Sequence, residues 1–575
     1  MKISADAEFE ATLQQRADYI PLEDLQAETS KAGDLFNVVH AQLINKALRT
    51  IVGPRGCGKT HMMRYAWLMC SKTQSHPFAV YASFNRYFRL EPLLSSRSSA
   101  LHHFHSWVLA RLVIATWDAA TNWPLPQDSI DAIFEECQLD VQALATFASR
   151  LERNQPLDEI QSSLSESLSI ERVQSLIDLF KDLAGRRWSV ILMDDAALTL
   201  TPEYLLEFLD IVRSLKSVSI SPKVSVYPGT TEVSPKFHQG QDAVSIPVWL
   251  CIEDPAYVSV MDQIAQTRVK SFGTIPKDVR SLLRFAAFGI PRAYLTMLDE
   301  YDRGGYRTSQ QAANQIISDH YQARVDEYTS LGVKVPKLEG LVDSGKSVLE
   351  GIAKEIKAQN AVLVEKGRKQ LTYGVQSDEL TPMVARMFSL LIEAGLVYDN
   401  GGVKHGTPER IYRRFIPHSG ALLGIRAFST GPGGSIRQTL NGIELRSSKH
   451  PVRKSLARAI PEVQLDALTL SLPRCAKCNN RRLSDSQLFC HICGNQLVDA
   501  STFTKCLDVA ISAVPGLTSW QRVQIATHLP ALRTIRDFLA KQDPAADLLR
   551  VRGFGDRRTA RIVDVLNGFV DDYLS

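Results

Sequence analysis

The chain has 575 residues, 45% hydrophobic and 22% charged, a globular composition long enough for about three to five domains. It excludes a membrane span, since no apolar run approaches the ~18–20 residues one needs, and a disulfide framework, since four of the nine cysteines cluster and the other five are scattered. The net charge of +4 is uneven: residues 431–575 carry 20 Lys+Arg against 13 Asp+Glu, a basic tail on a slightly acidic body, which suits a polyanionic partner.

The first residues, Met1-Lys-Ile-Ser-Ala-Asp6, lack the apolar core of a secretory signal, so a soluble cytoplasmic protein is expected. Residues 1–45 read as a lead-in whose Phe36–Val39 and Leu43–Leu48 segments pack on the adjoining domain or flank the base of a bound nucleotide. The short apolar run Thr50-Ile51-Val52 predicts a buried strand, and His61–Cys70 a helix. Between them lies Gly53-Pro54-Arg55-Gly56-Cys57-Gly58-Lys59-Thr60, which fits G-x-x-x-x-G-K-[ST] in the strand–loop–helix setting that motif needs. Its glycines let backbone N–H groups approach phosphate oxygens, and the helix start adds its dipole. Lys59 would meet the β- and γ-phosphates of ATP, and the Thr60 hydroxyl would ligate Mg²⁺.

His76–Phe84 reads as a second strand, and residues 101–183 as mostly helical, with aromatics at core spacing. Trp188–Met193 is a further buried strand ending in Asp194-Asp195. Asp194 would hold Mg²⁺ through water, and Asp195 would orient or deprotonate the attacking water. Lys223–Tyr227 is another strand, followed by Pro228-Gly-Thr-Thr231, where Thr230 or Thr231 would sense the γ-phosphate. Ala243–Leu250 would be the last strand. Gly289-Ile-Pro-Arg292 opens a helix with Pro in its first turn, aiming Arg292 at a site the helix would cap.

These four motifs resemble those of the AAA+ ATPases, and within them the origin-recognition initiator group, over roughly residues 30–430. The resemblance implies a P-loop parallel α/β sheet with a helical lid. It makes Gly53–Thr60 and Ile191–Asp195 the Walker A and B motifs, the Pro228–Thr231 region sensor 1, and Arg292 the sensor 2 contact to the γ-phosphate. The Walker B strand of that family usually ends in Asp-Glu; here it ends in Asp-Asp, which would slow hydrolysis. The family also takes an arginine finger from a neighbouring subunit, for which Arg268 and Lys236 are the candidates, and it implies a homo-oligomer.

Beyond the lid, Tyr301–Gln370 reads as helical and polar, with a mobile-looking stretch at Gly332–Pro336. The amphipathic helix from Thr381, the turn Asp399–Gly402 and the basic strand Arg410–Pro417 resemble a winged helix, with Arg410, Arg413 and Arg414 near DNA phosphates; a small packing domain is the alternative. Ser429–Ser435 begins a basic, flexible linker by composition. Cys475-Ala-Lys-Cys478 and Cys490-His-Ile-Cys493 then supply four thiolates for a tetrahedral Zn²⁺ and resemble a structural zinc ribbon. The tail carries two similar hairpin signals, Val514–Ser519 and Val551–Ala560, that resemble tandem helix-hairpin-helix motifs. There Gly516, and Gly553 and Gly555 with Arg552, Arg557 and Arg558, would bind DNA backbone at helix starts; a small helical oligomerisation module is the alternative.

The expected domains are a nucleotide-binding domain at 1–275, a helical lid and connector at 276–365, a winged-helix-like domain at 366–427, the linker at 428–470, the zinc ribbon at 471–500 and an all-α hairpin domain at 501–575. The expected function is an ATP-dependent switch or loader on duplex DNA. The alternative is an ATP-binding DNA sensor with little turnover that recruits a separate nuclease or helicase, as in mobile-element or phage-defence systems.

Overall fold

A computed structural model of the chain describes residues 17, 20–30, 33–96, 99–195, 202–228, 243–406, 410–429, 435–460, 465, 468–472, 474–475, 477–483, 487, 489–495, 497, 502–541 and 543–573. Five short strands build its centre. The strands are β1 (Arg49–Val52), β2 (Phe78–Ser83), β3 (Ser189–Asp194), β4 (Ile220–Val226) and β5 (Val244–Pro247). Strands β3 and β4 are buried at every position, as strands covered on both faces must be. All five pair in parallel in the order β2-β3-β4-β1-β5. Val224 of β4 lies opposite both Thr50 of β1 and Met193 of β3, so the strand that enters the phosphate loop and the strand that delivers the acids flank β4 in register.

Helices cover both faces. The lead-in forms α1 (Gly33–Ile44), and α2 (Lys59–Lys72) comes directly after the phosphate loop. The helical stretch resolves into α3 (Ala100–Asn122), α4 (Gln127–Glu136), α5 (Val141–Glu152), α6 (Glu159–Ser167) and α7 (Ile170–Leu183). Trp107 of α3 is fully buried and meets Phe84, just past β2, edge-on at 5.9 Å. Full burial of such a side chain contributes at least ~2–3 kcal/mol. No helix among the described residues is long and apolar enough to cross a membrane.

The lid comprises α8 (Tyr257–Arg268), α9 (Lys277–Ala286), α10 (Pro291–Arg303), α11 (Ser309–Lys334) and α12 (Glu339–Leu363). The Gly332–Pro336 stretch forms the end of α11 and the turn into α12. Gly332 is buried inside α11, where a Cβ would stand 3.2 Å from Glu339 Cα, so its lack of a side chain lets α11 and α12 turn tightly against each other.

The next unit has a three-stranded antiparallel sheet of β6 (Tyr373–Gln376), β7 (Val397–His405) and β8 (Arg410–Pro417), in the order β6-β8-β7, with α13 (Pro382–Glu393) between β6 and β7. The β7–β8 hairpin projects like a wing, but α13 is not free to enter a groove. Along Thr381–Ala394 only Thr381 and Pro382 are exposed, and Val384, Met387, Phe388 and Leu391 are in the core. Two of the three wing arginines are also taken: Arg413 donates to Asp399 Oδ2 at 2.5 and 2.8 Å, and Arg414 to Asn400 O at 2.6 Å. Arg410 alone of the three is exposed.

The flexible linker expected at 428–470 is corrected over 435–460. There α14 (Ile436–Ile443) buries Ile436, Leu440 and Ile443 at helical spacing, and Leu456 and Ile460 are fully buried. Phe428 meets Phe285 of α9 at 5.5 Å, and Arg446-Ser447 pairs in parallel with Arg368-Lys369. Glycine, serine and charge pointed to a linker, but the apolar period inside it makes a strap that binds lid to hairpin unit.

The tail is all helical: α15 (Thr502–Leu507), α16 (Ser519–His528), α17 (Ile535–Ala540), α18 (Pro544–Leu549) and α19 (Asp556–Asp572).

Candidate nucleotide and metal sites

The phosphate loop is set by steric need. A Cβ on Gly53 would lie 2.9 Å from Val248 Cγ2, and one on Gly56 (φ +88°) 2.9 Å from Ile290 Cγ2. Gly58 differs: its φ of +89° favours glycine, and nothing lies within 4 Å of where its Cβ would be, so the loop opens there onto a cavity. Helix α2 starts at Lys59 with no side-chain cap, leaving its first N–H groups for an anion. Lys59 Nζ folds back to donate to Gly53 O at 2.6 Å and Pro54 O at 3.1 Å, 4.6 Å from the centre of the Tyr227 ring. Burial pulls its pKa down, while Cys57, Asp194 and Asp195 pull it up. A phosphate would supply the anion that this buried ammonium lacks in full.

At the end of β3, Asp194 is fully buried and accepts from Tyr81 Oη at 3.0 Å and Ser225 Oγ at 2.5 Å. Ser225 Oγ in turn accepts from the Asp195 N–H at 2.9 Å, so one hydroxyl of β4 holds both acids. Asp195 has φ +55°, an uncommon left-handed backbone that costs about 1–3 kcal/mol and recurs at functional sites. That kink turns Asp195 to the cavity, with Ser83 Oγ donating to its carboxylate at 3.3 Å. Thr60 lines the cavity, whereas Asp194, fully buried with both oxygens bonded, is not among its lining residues, so a Mg²⁺ on Thr60 would reach Asp194 only through water.

The lid reaches the loop as the Gly-Ile-Pro-Arg segment suggests. Pro291 occupies the first turn of α10, the Arg292 N–H donates to Gly56 O at 3.3 Å, and Arg292 lines the cavity. Thr230, Thr231 and Lys236 lie outside the described residues. Arg268 lines this same cavity, paired with Glu28 at 2.5 Å and its side chain only 12% exposed.

The cavity holds about 310 Å³, enough for a small ligand. Besides the loop, its walls include Phe36 of α1 and a face that motif reading missed: Arg324, Glu327, Tyr328 and Lys334 of α11, and Glu393 at the end of α13. Burial raises the Glu393 carboxyl to about 7, against the pull of Arg386 at 3.5 Å. The i, i+3, i+4 spacing of Arg324, Glu327 and Tyr328 was the available signal, but nothing local tied that face to the loop. Ser225, one of three polar residues in the wholly buried β4, was the signal for the second support.

The four cysteines come together. Their Sγ atoms lie within 4.8 Å of one another, with Cys475–Cys493 at 3.5 Å and Cys478–Cys490 at 3.4 Å. Tetrahedral Zn–S bonds of ~2.3 Å require sulfurs about 3.8 Å apart, so the set fits Zn²⁺. The two knuckles repeat one geometry. The Asn479 and Gly494 N–H groups return to the carbonyls of Cys475 and Cys490 at 2.8 and 2.9 Å, and both residues are left-handed, at φ +55° and +65°. Asn479 is thus the left-handed counterpart of Gly494 in the first knuckle.

The tail hairpins also match each other. Val514 and Leu517, and Val551 and Phe554, are buried around Gly516 (φ +88°) and Gly553 (φ +94°). Trp520 and Phe554 pack edge-on at 5.6 Å across the pair. In the first hairpin Thr518 caps α16 through a reciprocal box with Gln521, whereas Gly555 leaves the start of α19 without a side-chain cap. Gly516, Arg552, Gly553, Gly555, Arg557 and Arg558 are all exposed. Arg558 is partly engaged, donating to Gly553 O at 2.8 Å and lying 5.5 Å over Trp520.

No protein-family model and no curated protein matches the chain. Among solved structures, it is similar to a Walker-type ATPase of Pyrococcus abyssi, with 12% identity and a TM-score of 0.35 over 69% of this chain and 96% of that one. It is also similar to the Aeropyrum pernix Orc1 protein in complex with DNA, with 14% identity and a TM-score of 0.29 over 72% of this chain and 95% of that one. The sheet order and loop geometry stand apart from these likenesses. With β4 between the loop strand and the acid strand, and a lid helix seated on the loop, the chain has an α/β P-loop fold of the AAA+ kind.

Proposed function

We propose that this protein is a Mg²⁺-dependent ATPase whose nucleotide site governs how its C-terminal hairpin domain engages duplex DNA, acting as an oligomeric switch or loader. The observation that carries the reading is a shared wall. Phe88 and Lys334 line the nucleotide cavity, and they are also residues on which the tail domain rests. Phe503, almost fully buried, meets Phe88 at 5.6 Å, and Lys334 Nζ lies 5.2 Å over the Tyr573 ring. Lys505 Nζ adds a bond to Val333 O at 2.8 Å. A nucleotide that moves this wall moves the seat of the DNA-binding hairpins. The exposed glycine turns and arginines of those hairpins suit backbone contacts of weak sequence preference and strong salt dependence.

The test is binding of the full chain to duplex DNA across a salt series, with ATP, ADP or no nucleotide, beside the double variant Arg552→Glu and Arg557→Glu. The expected result is ATP-dependent affinity that the double variant loses. DNA binding indifferent to nucleotide would sink the proposal. A second reading, an ATP-binding DNA sensor with little turnover that recruits a nuclease or helicase, is favoured by one feature: the water-orienting acid is Asp195, one methylene shorter than Glu. Multiple-turnover ATPase with DNA decides between them. A stimulated rate lost in Asp195→Asn supports the enzyme, and tight binding without turnover supports the sensor.

A further inference from the structure

The α11 wall of the cavity contains a positive charge whose favourable carboxylate is shared with a second arginine. Arg324 lines the cavity and donates from Nη1 to Ala394 O at 2.9 Å, the carbonyl that closes α13. It forms no ion pair among the described residues. Glu327, whose charge favours it, lies 3.6 Å from Arg55. Burial pulls the Arg324 pKa down. A guanidinium keeps its proton in a protein, so an anion entering this cavity meets a fixed positive charge on its α11 wall.

Its position says which anion. A Cβ on Gly395 would lie 3.0 Å from Arg324 Nη1 and 3.6 Å from Pro54 Cβ, so the guanidinium stands beside the phosphate loop. The Cys57 thiol inside the loop feels the charges of Lys59, Arg324 and Arg292. On the same side, Tyr227 feels Arg55, Asp195, Glu327 and Glu393, and it carries Lys59 over its ring. Asp195 and Lys59 mark the end of the site where the terminal phosphate would sit. We propose that Arg324 is a ligand of the terminal phosphate of ATP, and that its bond to Ala394 couples that phosphate to the β7–β8 hairpin unit. One N–H serves Ala394, and the remaining donors of the planar fork are free in number to take phosphate oxygens. This inference rests on the reading of the cavity as a nucleotide site.

The experiment is titration of the full chain with fluorescent ATP and ADP analogues, for wild type, Arg324→Ala and Arg324→Lys, with thermal melts alongside. The expected result is ATP affinity lowered about tenfold or more in Arg324→Ala, ADP affinity within about threefold of wild type, and partial recovery in Arg324→Lys. Hydrogen exchange should show ATP slowing exchange in Val397–Pro417 of the wild type but not of the Ala variant. Equal loss for ATP and ADP, or unchanged affinity with a lowered melting point, would make Arg324 only a bolt between α11 and α13 and overturn the inference. Should the Ala variant not fold, Arg324→Lys decides: it keeps the charge but not the fork, and undiminished preference for ATP over ADP overturns the inference. Wild type that binds neither nucleotide would overturn the cavity reading as well, a different outcome from binding that ignores Arg324.

Discussion

The two ligand loops of this chain meet similar backbone demands in opposite surroundings. The phosphate loop uses left-handed Gly56 and Gly58; the cysteine knuckles use left-handed Asn479 and Gly494. The first is embedded in a five-stranded sheet whose strands β3 and β4 are wholly buried. The second has Cys475 and Cys490 buried but leaves Leu483, Phe489 and Ile492 exposed, so little apolar burial holds it. One loop is shaped before its ligand arrives. The other would take its shape from the Zn²⁺ that its four thiolates fit.

That difference predicts opposite responses to ligand loss. Chelation of zinc, or Cys478→Ser, should unfold residues 474–497 while the sheet domain keeps its melting transition. Structural zinc contributes about 10–16 kcal/mol of binding free energy, the largest single effect available here. Proteolysis mapped by mass spectrometry checks it, and cleavage spread evenly over the chain would break the comparison. Removing the ligand group of the other loop, by Lys59→Ala, should weaken ATP binding about 100-fold, roughly 3 kcal/mol. Stability should hold or rise, since a partly desolvated ammonium is gone. A calorimetric titration beside a thermal melt reads both.

A third effect sharpens the contrast by titrating the wall of the preformed site. Glu393 has its folded pKa raised from 4.5 to about 7 by burial, so between those values the folded state holds the proton more tightly than the unfolded one. Stability from this group is therefore lost as pH rises from about 4.5 through 7, up to about 3 kcal/mol at 1.36 kcal/mol per unit. Glu393→Gln should flatten that slope in chemical denaturation at pH 5 and pH 8. A slope that survives the substitution would assign it to other groups.

Much of the site was legible because its signals are local. Gly53–Thr60 between an apolar run and a helix, Asp194-Asp195 at the end of a strand, and paired C-x-x-C knuckles each carry their chemistry within a few residues. Strands β2 and β3 appeared as near-continuous apolar runs because both faces of the sheet are covered there. What stayed hidden depends on distant parts of the chain. Arg324 and Glu393 reach the cavity only because α11 and α13 fold back over the loop. The strap at 435–460 looked like a linker because glycines and charges outweighed Ile436, Leu440 and Ile443. The wing arginines Arg413 and Arg414 looked available for phosphates because their composition does not show that Asp399 and Asn400 across the hairpin already hold them.

The smallest expected effect falls on the β4 hydroxyl that bonds both acids. Ser225 Oγ donates to Asp194 at 2.5 Å and accepts from the Asp195 N–H at 2.9 Å, so it fixes the spacing of the two acids from the neighbouring strand. Ser225→Ala leaves Asp194 with Tyr81 alone of these two donors and strips a backbone N–H of a partner, a cost of about 1–2 kcal/mol. Ser225→Thr keeps the hydroxyl and, being β-branched, suits a strand. If the preformed acid pair matters, the Ala variant should lose turnover several-fold beyond its change in ATP affinity, and the Thr variant should restore it. Equal ATP affinity and equal turnover in all three proteins would mean that metal and nucleotide assemble the acids themselves, and the nucleotide site would then resemble the zinc knuckles more than it differs from them.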